Sequence, residues 1–139
     1  MSNADTMRQF YDRLNAGDVD GFAALIADDL IEHEEVEGLP QTKEGVIQFF
    51  EMFRAAFSDL RMEAEDVIES GDKAWARIRI TGTNDGEFMG MPATGKSVDF
   101  QAVDIVRVND EGVAAEHWGV TDTMKMMQQL GVVPEGPPA

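Results

Sequence analysis

The sequence predicts an α+β domain in which a curved, mainly antiparallel sheet wraps around three N-terminal helices. Three observations carry this. The first third places apolar residues at helical spacing, the rest alternates apolar and polar residues over long runs, and hairpin-length turns rich in Gly, Asn, Asp and Ser join those runs.

In the first helix Met7, Phe10, Tyr11 and Leu14 fall at i, i+3, i+4 and i+7, and the stripe stops at Asn15, Ala16 and Gly17. Asp18 is placed to cap a second helix running through Phe22, Leu25 and Ile26. The short LIEH reads as an extended segment, and EEVEGLPQ as an acidic loop. Thr42 then caps the strongest amphipathic helix, with Val46, Phe49, Phe50 and Phe53 on one face and Phe57 one turn on. From Leu60 the period changes to two: Leu60, Met62 and Ala64 alternate with Arg61, Glu63 and Glu65. Ser70, Gly71 and Asp72 make a turn into AWARIRITG, which puts Ala76, Ile78 and Ile80 on one face. NDGEFMGMPATGK is a Gly/Pro-punctuated loop, SVDFQAVDIVRV a third long strand, and Asn109 to Gly112 a hairpin turn into VAAEHWGV. A last helix, TMKMMQQL, ends at Gly131.

The chain has 139 residues, enough for one domain, taken as residues 1–131 with a flexible Pro/Gly-rich tail over 132–139. No cysteine is present, so disulfides, thiolate metal sites and cysteine nucleophiles are excluded, and a reducing compartment fits. No apolar run reaches membrane-span length, and the first residues lack a signal-peptide layout, so the expectation is a soluble cytoplasmic protein. A net charge of −16 repels phosphate backbones and anionic lipid, which argues against nucleic-acid and membrane partners.

Asp104 sits inside a long strand on the face of Phe100, Ala102, Val106 and Val108. An acid in an apolar row needs a reason, because an unpaired buried carboxylate is costly. It is either a pocket group or the partner of Arg77 or Arg79 on the neighbouring strand. His117 and Trp118 point to opposite faces. Counting back from the hairpin turn sets His117 opposite Asp104, give or take a residue, where the pair would orient the imidazole and stabilise its charged form. Asp122 precedes the last helix as a cap or a pocket group, and His33 follows the first strand at the pocket mouth or in a solvated turn. Tyr11, Phe50, Phe53, Trp75 and Trp118 are candidates for an aromatic wall. Phe88, Met89 and Met91 are candidates for a loop lid, with packing under the sheet edge as the alternative. Neither histidine has a partner at metal-ligand spacing, so no metal site is expected.

The pieces YDRLNAGDVDGFAALIADD, IEH, EGVIQFFEMFRAAFSDLR, TGTNDGEFMGMPATGK, and EHWGVTD followed by QQLG resemble, in order and spacing, the SnoaL-like polyketide cyclases of the nuclear-transport-factor-2-like superfamily. They cover roughly residues 5 to 131. The resemblance implies a cone with an internal pocket, dimerisation through the exposed sheet face, and ring closure by an intramolecular aldol reaction without cofactor. The implied ligand is a small apolar or aromatic carbonyl compound. The family pattern also implies an aspartate directly after the tryptophan as acid/base, and a histidine on the preceding strand near position 104. Here Gly119 follows Trp118 and Asp104 stands on that strand. The expectation is therefore that Asp104 serves as acid/base and His117 orients or donates. Isomerisation, hydrolysis, hydroxylation or plain ligand binding are the alternatives on the same scaffold.

Overall fold

Ser2 opens α1 (Asn3–Asn15) with a capping box, its hydroxyl accepting from the Asp5 backbone and the Asp5 side chain accepting in return. This computed structural model describes residues 2–134. Asp18 caps α2 (Val19–Ala23), Thr42 caps α3 (Lys43–Ala56), and Asp122 caps α4 (Thr123–Leu130), which closes on Gly131 in the left-handed conformation at φ 77°. The strands are β1 (Ile26–Glu32), β2 (Arg61–Ser70), β3 (Lys73–Thr83), β4 (Ser97–Val108) and β5 (Ala114–Thr121).

They form one sheet in the order β1-β5-β4-β3-β2, antiparallel except for the parallel pair of β1 and β5. The α+β architecture is thus the expected one. The second helix is shorter than predicted. It stops at Ala23, and Ile26 opens β1, because the backbone there pairs with β5: Ala114 donates to the Leu25 carbonyl at 2.8 Å. β1 is accordingly longer than the LIEH segment.

The inner face of the sheet carries the rows expected from alternation. Ala74, Ala76, Ile78 and Ile80 of β3 and Val98, Phe100, Ala102, Val106 and Val108 of β4 are buried against Met7, Phe10, Tyr11 and Leu14 of α1 and against Phe53 and Phe57. Aromatic edges continue this core from Phe10 through Phe22 and Phe50 to Phe49 and Phe53. The outer face has its own row: Ile68 pairs with Trp75, Trp75 with Ile105, and Ile105 with Trp118. Among the described residues no helix is long and apolar enough to cross a membrane. Most of the predicted tail, residues 135–139, lies outside the described residues.

Candidate active site

The α helices and the inner sheet face enclose a cavity of about 300 Å³, walled by Phe10, Phe22, Phe49, Phe50 and Phe53 and by inward residues of β3 and β4. Its polar groups gather at one end, where β1, β4 and β5 run side by side. Among the described residues, His117 is its only basic lining group, against Glu32, Glu34, Glu35, Glu37 and Asp104.

Strand register builds this pole. Asp104 lies between Ala76 of β3 and Gly119 of β5, so small neighbours on both sides leave room for its carboxylate. His117 pairs with Val106, two residues from the expected Asp104: the turn centres on Glu111, which shifts the partner by one, and a bulge next to Arg107 shifts it by one more. An even offset keeps the same face. His117 Nε2 therefore still reaches Asp104 Oδ1, on the diagonal, at 3.0 Å. On its other side, Glu32 of β1 is in register with His117, and its carboxylate bonds Nδ1 at 2.7 and 2.9 Å. Tyr11 comes in from α1 and donates its hydroxyl to Asp104 Oδ2 at 2.7 Å. Neither Arg77 nor Arg79 is the partner of Asp104, since Arg77 pairs with Asp66 and Glu65 and Arg79 with Asp99 on the solvent side.

The electrostatics follow from these contacts. Burial alone disfavours a charged His117, but hydrogen bonds to Asp104 and Glu32, with their charges, outweigh it and hold the ring up to about 10. The ring is an imidazolium at neutral pH with both N–H groups committed to carboxylates. It therefore supplies charge to the pocket and has no N–H left for a ligand. Tyr11 stays a neutral phenol, since burial and then Asp104 raise its pKa well above the ordinary value. Glu34, just past β1, lines the same end and accepts from Thr121 Oγ1 at 3.2 Å. Burial first, and the Asp104 charge second, raise its carboxyl, with His117 and Thr121 opposing.

Ligand atoms of Glu32, Glu34 and His117 lie within 4.8 Å of one another, close enough to surround a cation. In the structure both ring nitrogens of His117 are hydrogen-bonded to carboxylates, Nδ1 to Glu32 and Nε2 to Asp104, so these groups also form a proton network.

The structure brings together Asp104, His117, Tyr11, Phe50, Phe53, Phe88 and Met89 around the cavity, and leaves the other candidates outside it. Trp75 and Trp118 lie in the outer row, as alternation from His117 requires. His33 is on that face too, stacked on Trp118 at 4.9 Å and bonded to Glu116 at 2.6 Å. Asp122 caps α4 through the Lys125 amide. Met91 packs on the core without lining the cavity. The loop is less a free lid than a tethered flap. Buried Asn84 donates to the carbonyls of Ala56 and Gly86 and accepts from Thr94, while Phe88 stacks on Phe53.

A profile of the SnoaL-like polyketide cyclases matches residues 5–130. This chain belongs to that family. Individual members of the family are similar to this chain along most of its length. Two aklanonic acid methyl ester cyclases are each 26% identical over 138 residues: DauD of Streptomyces sp. (strain C5), covering 95% of this chain and 85% of the relative, and DnrD of Streptomyces peucetius, covering 95% and 94%. Among solved structures, AclR of Streptomyces galilaeus superposes at TM-score 0.84 with 27% identity, over 97% of this chain and 84% of that one. IdmH of Streptomyces antibioticus superposes at 0.81 with 32% identity, over 94% and 99%.

Two residues of this SnoaL-like site, Glu32 and Glu34, were missed in the sequence: Glu32 lies in the short LIEH segment, where it was not singled out, and Glu34 opens the stretch read as an acidic loop. The signal was present. Leu30, Glu32 and Glu34 share one parity, and the first is a buried core residue.

Proposed function

We propose that this protein is a cofactor-free, cyclase-type acid/base enzyme that closes a ring in a neutral, apolar carbonyl compound of the polyketide class. One observation carries the reading: an otherwise apolar cavity of about 300 Å³ concentrates an imidazolium, three carboxylates and a phenol at one end. A flat hydrophobic ligand buries its rings against the phenylalanines, and its carbonyl faces the polar pole. A pocket carboxylate takes a proton from the carbon next to that carbonyl, and the His117 charge stabilises the enolate where water is excluded. The cyclase relatives support this chemistry. The absence of Lys or Arg from the lining, among the described residues, favours an ester over a free acid.

The test is conversion of aklanonic acid methyl ester, or an analogue with the same spacing of carbonyls, in buffer containing a chelator and no added cofactor. The expected product is an isomer of unchanged mass, separable by chromatography. Tight binding without conversion of any such ester would replace the enzyme with a ligand-binding module.

A homodimer through the outer face, in the cytoplasm, belongs to the same proposal. The supporting feature is the apolar row from Ile68 to Trp118, beside exposed Val103 and Val120.

A further inference from the structure

The carboxylates lining the cavity differ in what holds them. Glu32 and Asp104 each bond a ring nitrogen of His117, and Asp104 also accepts from Tyr11. Glu35 and Glu37 are exposed at the rim. Glu34 is different from both groups. Its carboxylate is half-buried, and among the described residues it makes no ion pair and has Thr121 Oγ1 as its donor.

Gly119 accounts for its position. A Cβ added at Gly119 would stand 2.1 Å from Glu34 Oε2 and 2.8 Å from Glu34 Cδ, so any side chain there displaces the carboxylate from this position. Gly119 is also the direct cross-strand partner of Asp104. The Glu34 carboxylate therefore fills the volume next to Asp104 that a side chain growing from β5 would occupy. Its backbone is held there by two bonds: the Glu34 amide donates to Glu32 Oε1 at 2.8 Å, and the His33 amide donates to the His117 carbonyl at 3.0 Å.

We propose that Glu34 is the catalytic acid/base of this pocket, reaching the reacting atoms from the loop after β1 through the space that Gly119 leaves open. The assignment rests on the acid/base reading above and names the group that performs it. Asp104, with one oxygen on Tyr11 and the other on His117, then positions those two groups. A carboxylate made more basic by burial is the better match for a weakly acidic C–H.

The step balances without a co-reactant. Glu34 takes a proton from the carbon beside a carbonyl, and the C–H electron pair becomes the enolate. The enolate carbon bonds to a second carbonyl carbon of the same molecule, whose π pair moves to oxygen. That alkoxide takes the proton back from Glu34.

The experiment is deuterium exchange at the carbon next to the carbonyl of α-tetralone in D2O, followed by NMR, with binding of the ketone measured in parallel by calorimetry. Wild type is expected to accelerate exchange over buffer. Glu34→Gln should bind the ketone as before and lose about 100-fold or more of the rate. Gly119→Ala keeps Glu34 in the chain but displaces its carboxylate, and should lose exchange as well. Glu34→Ala combined with Gly119→Asp puts a carboxyl back into the same volume and should recover much of it. Exchange that survives Glu34→Gln overturns the assignment and leaves the proposed function standing. No exchange above buffer by the wild type overturns both.

Discussion

Tyr11 and Asp104 stand 93 residues apart in the chain and 2.7 Å apart in the pocket. This single contact ties the first helix to the centre of the sheet at the point where the apolar core gives way to the polar pole. Tyr11→Phe keeps the ring and removes the donor, leaving Asp104 Oδ2 unsatisfied. A hydrogen bond to a charged group contributes about 1.5–3 kcal/mol, and a loss of that order in a urea melt is expected. An unchanged midpoint would mean that water replaces the phenol at no cost.

His117 holds two carboxylates, Glu32 and Asp104, that have no other cation among the described residues. His117→Gln should therefore destabilise the fold by about 3–5 kcal/mol, the range for breaking a buried ionic cluster by removing one partner. The pH dependence has a definite sign. The folded ring is raised from 6.5 to about 10, so its contribution is complete below the lower value and is lost as pH climbs through the upper one. Stability measured by denaturant should fall across that window in the wild type, and the part of the slope owed to His117 should vanish in the glutamine variant.

Glu34 pulls the other way. Its folded pKa is raised, so the native state binds this proton more tightly than the unfolded chain does, and ionising it costs stability. Stability from this residue is present at acid pH and declines as pH rises from the ordinary glutamate value through the raised one. Glu34→Gln should be at least as stable as the wild type above that interval, with melting temperature against pH as the readout. A clear loss at neutral pH would show that the charged form is the stabilised one.

Val120 and Ile68 are 72% and 58% exposed on the outer face, a large apolar exposure for strand residues. Val120→Lys or Ile68→Glu is expected to shift a wild-type dimer to monomer in light scattering, with the cavity and its activity intact. A wild type that is monomeric at working concentration would remove the dimer proposal.

Periodicity made most of this architecture readable in advance. The α1 stripe, the inner rows of β3 and β4, and the opposed directions of His117 and Trp118 all follow from local geometry. The errors around β1 have their physical origin in long-range pairing. β1 docks in parallel beside β5 across more than eighty residues (85 separate Glu32 from His117), and no local pattern announces that. With it went the early end of α2 and the roles of Glu32 and Glu34. Trp75 and Trp118 were assigned to an aromatic wall by residue type, whereas parity alone puts both outside. The His117 register was off by two because the turn centres on Glu111, half a residue later than counted, and a bulge adds one more residue that hairpin counting does not see.

The contact between positions 34 and 119 also constrains how this pocket can change over generations. With Glu34 in place, a larger residue at 119 is a collision. With glycine at 119, loss of Glu34 removes a carboxylate from the cavity wall beside Asp104. A side chain at 119 displaces the Glu34 carboxylate and loss of Glu34 leaves its place empty, so on the proposed mechanism a change at either site alone costs activity. Among relatives, the identity at one of these positions should then forecast the identity at the other, although one lies in the loop after β1 and the other on β5.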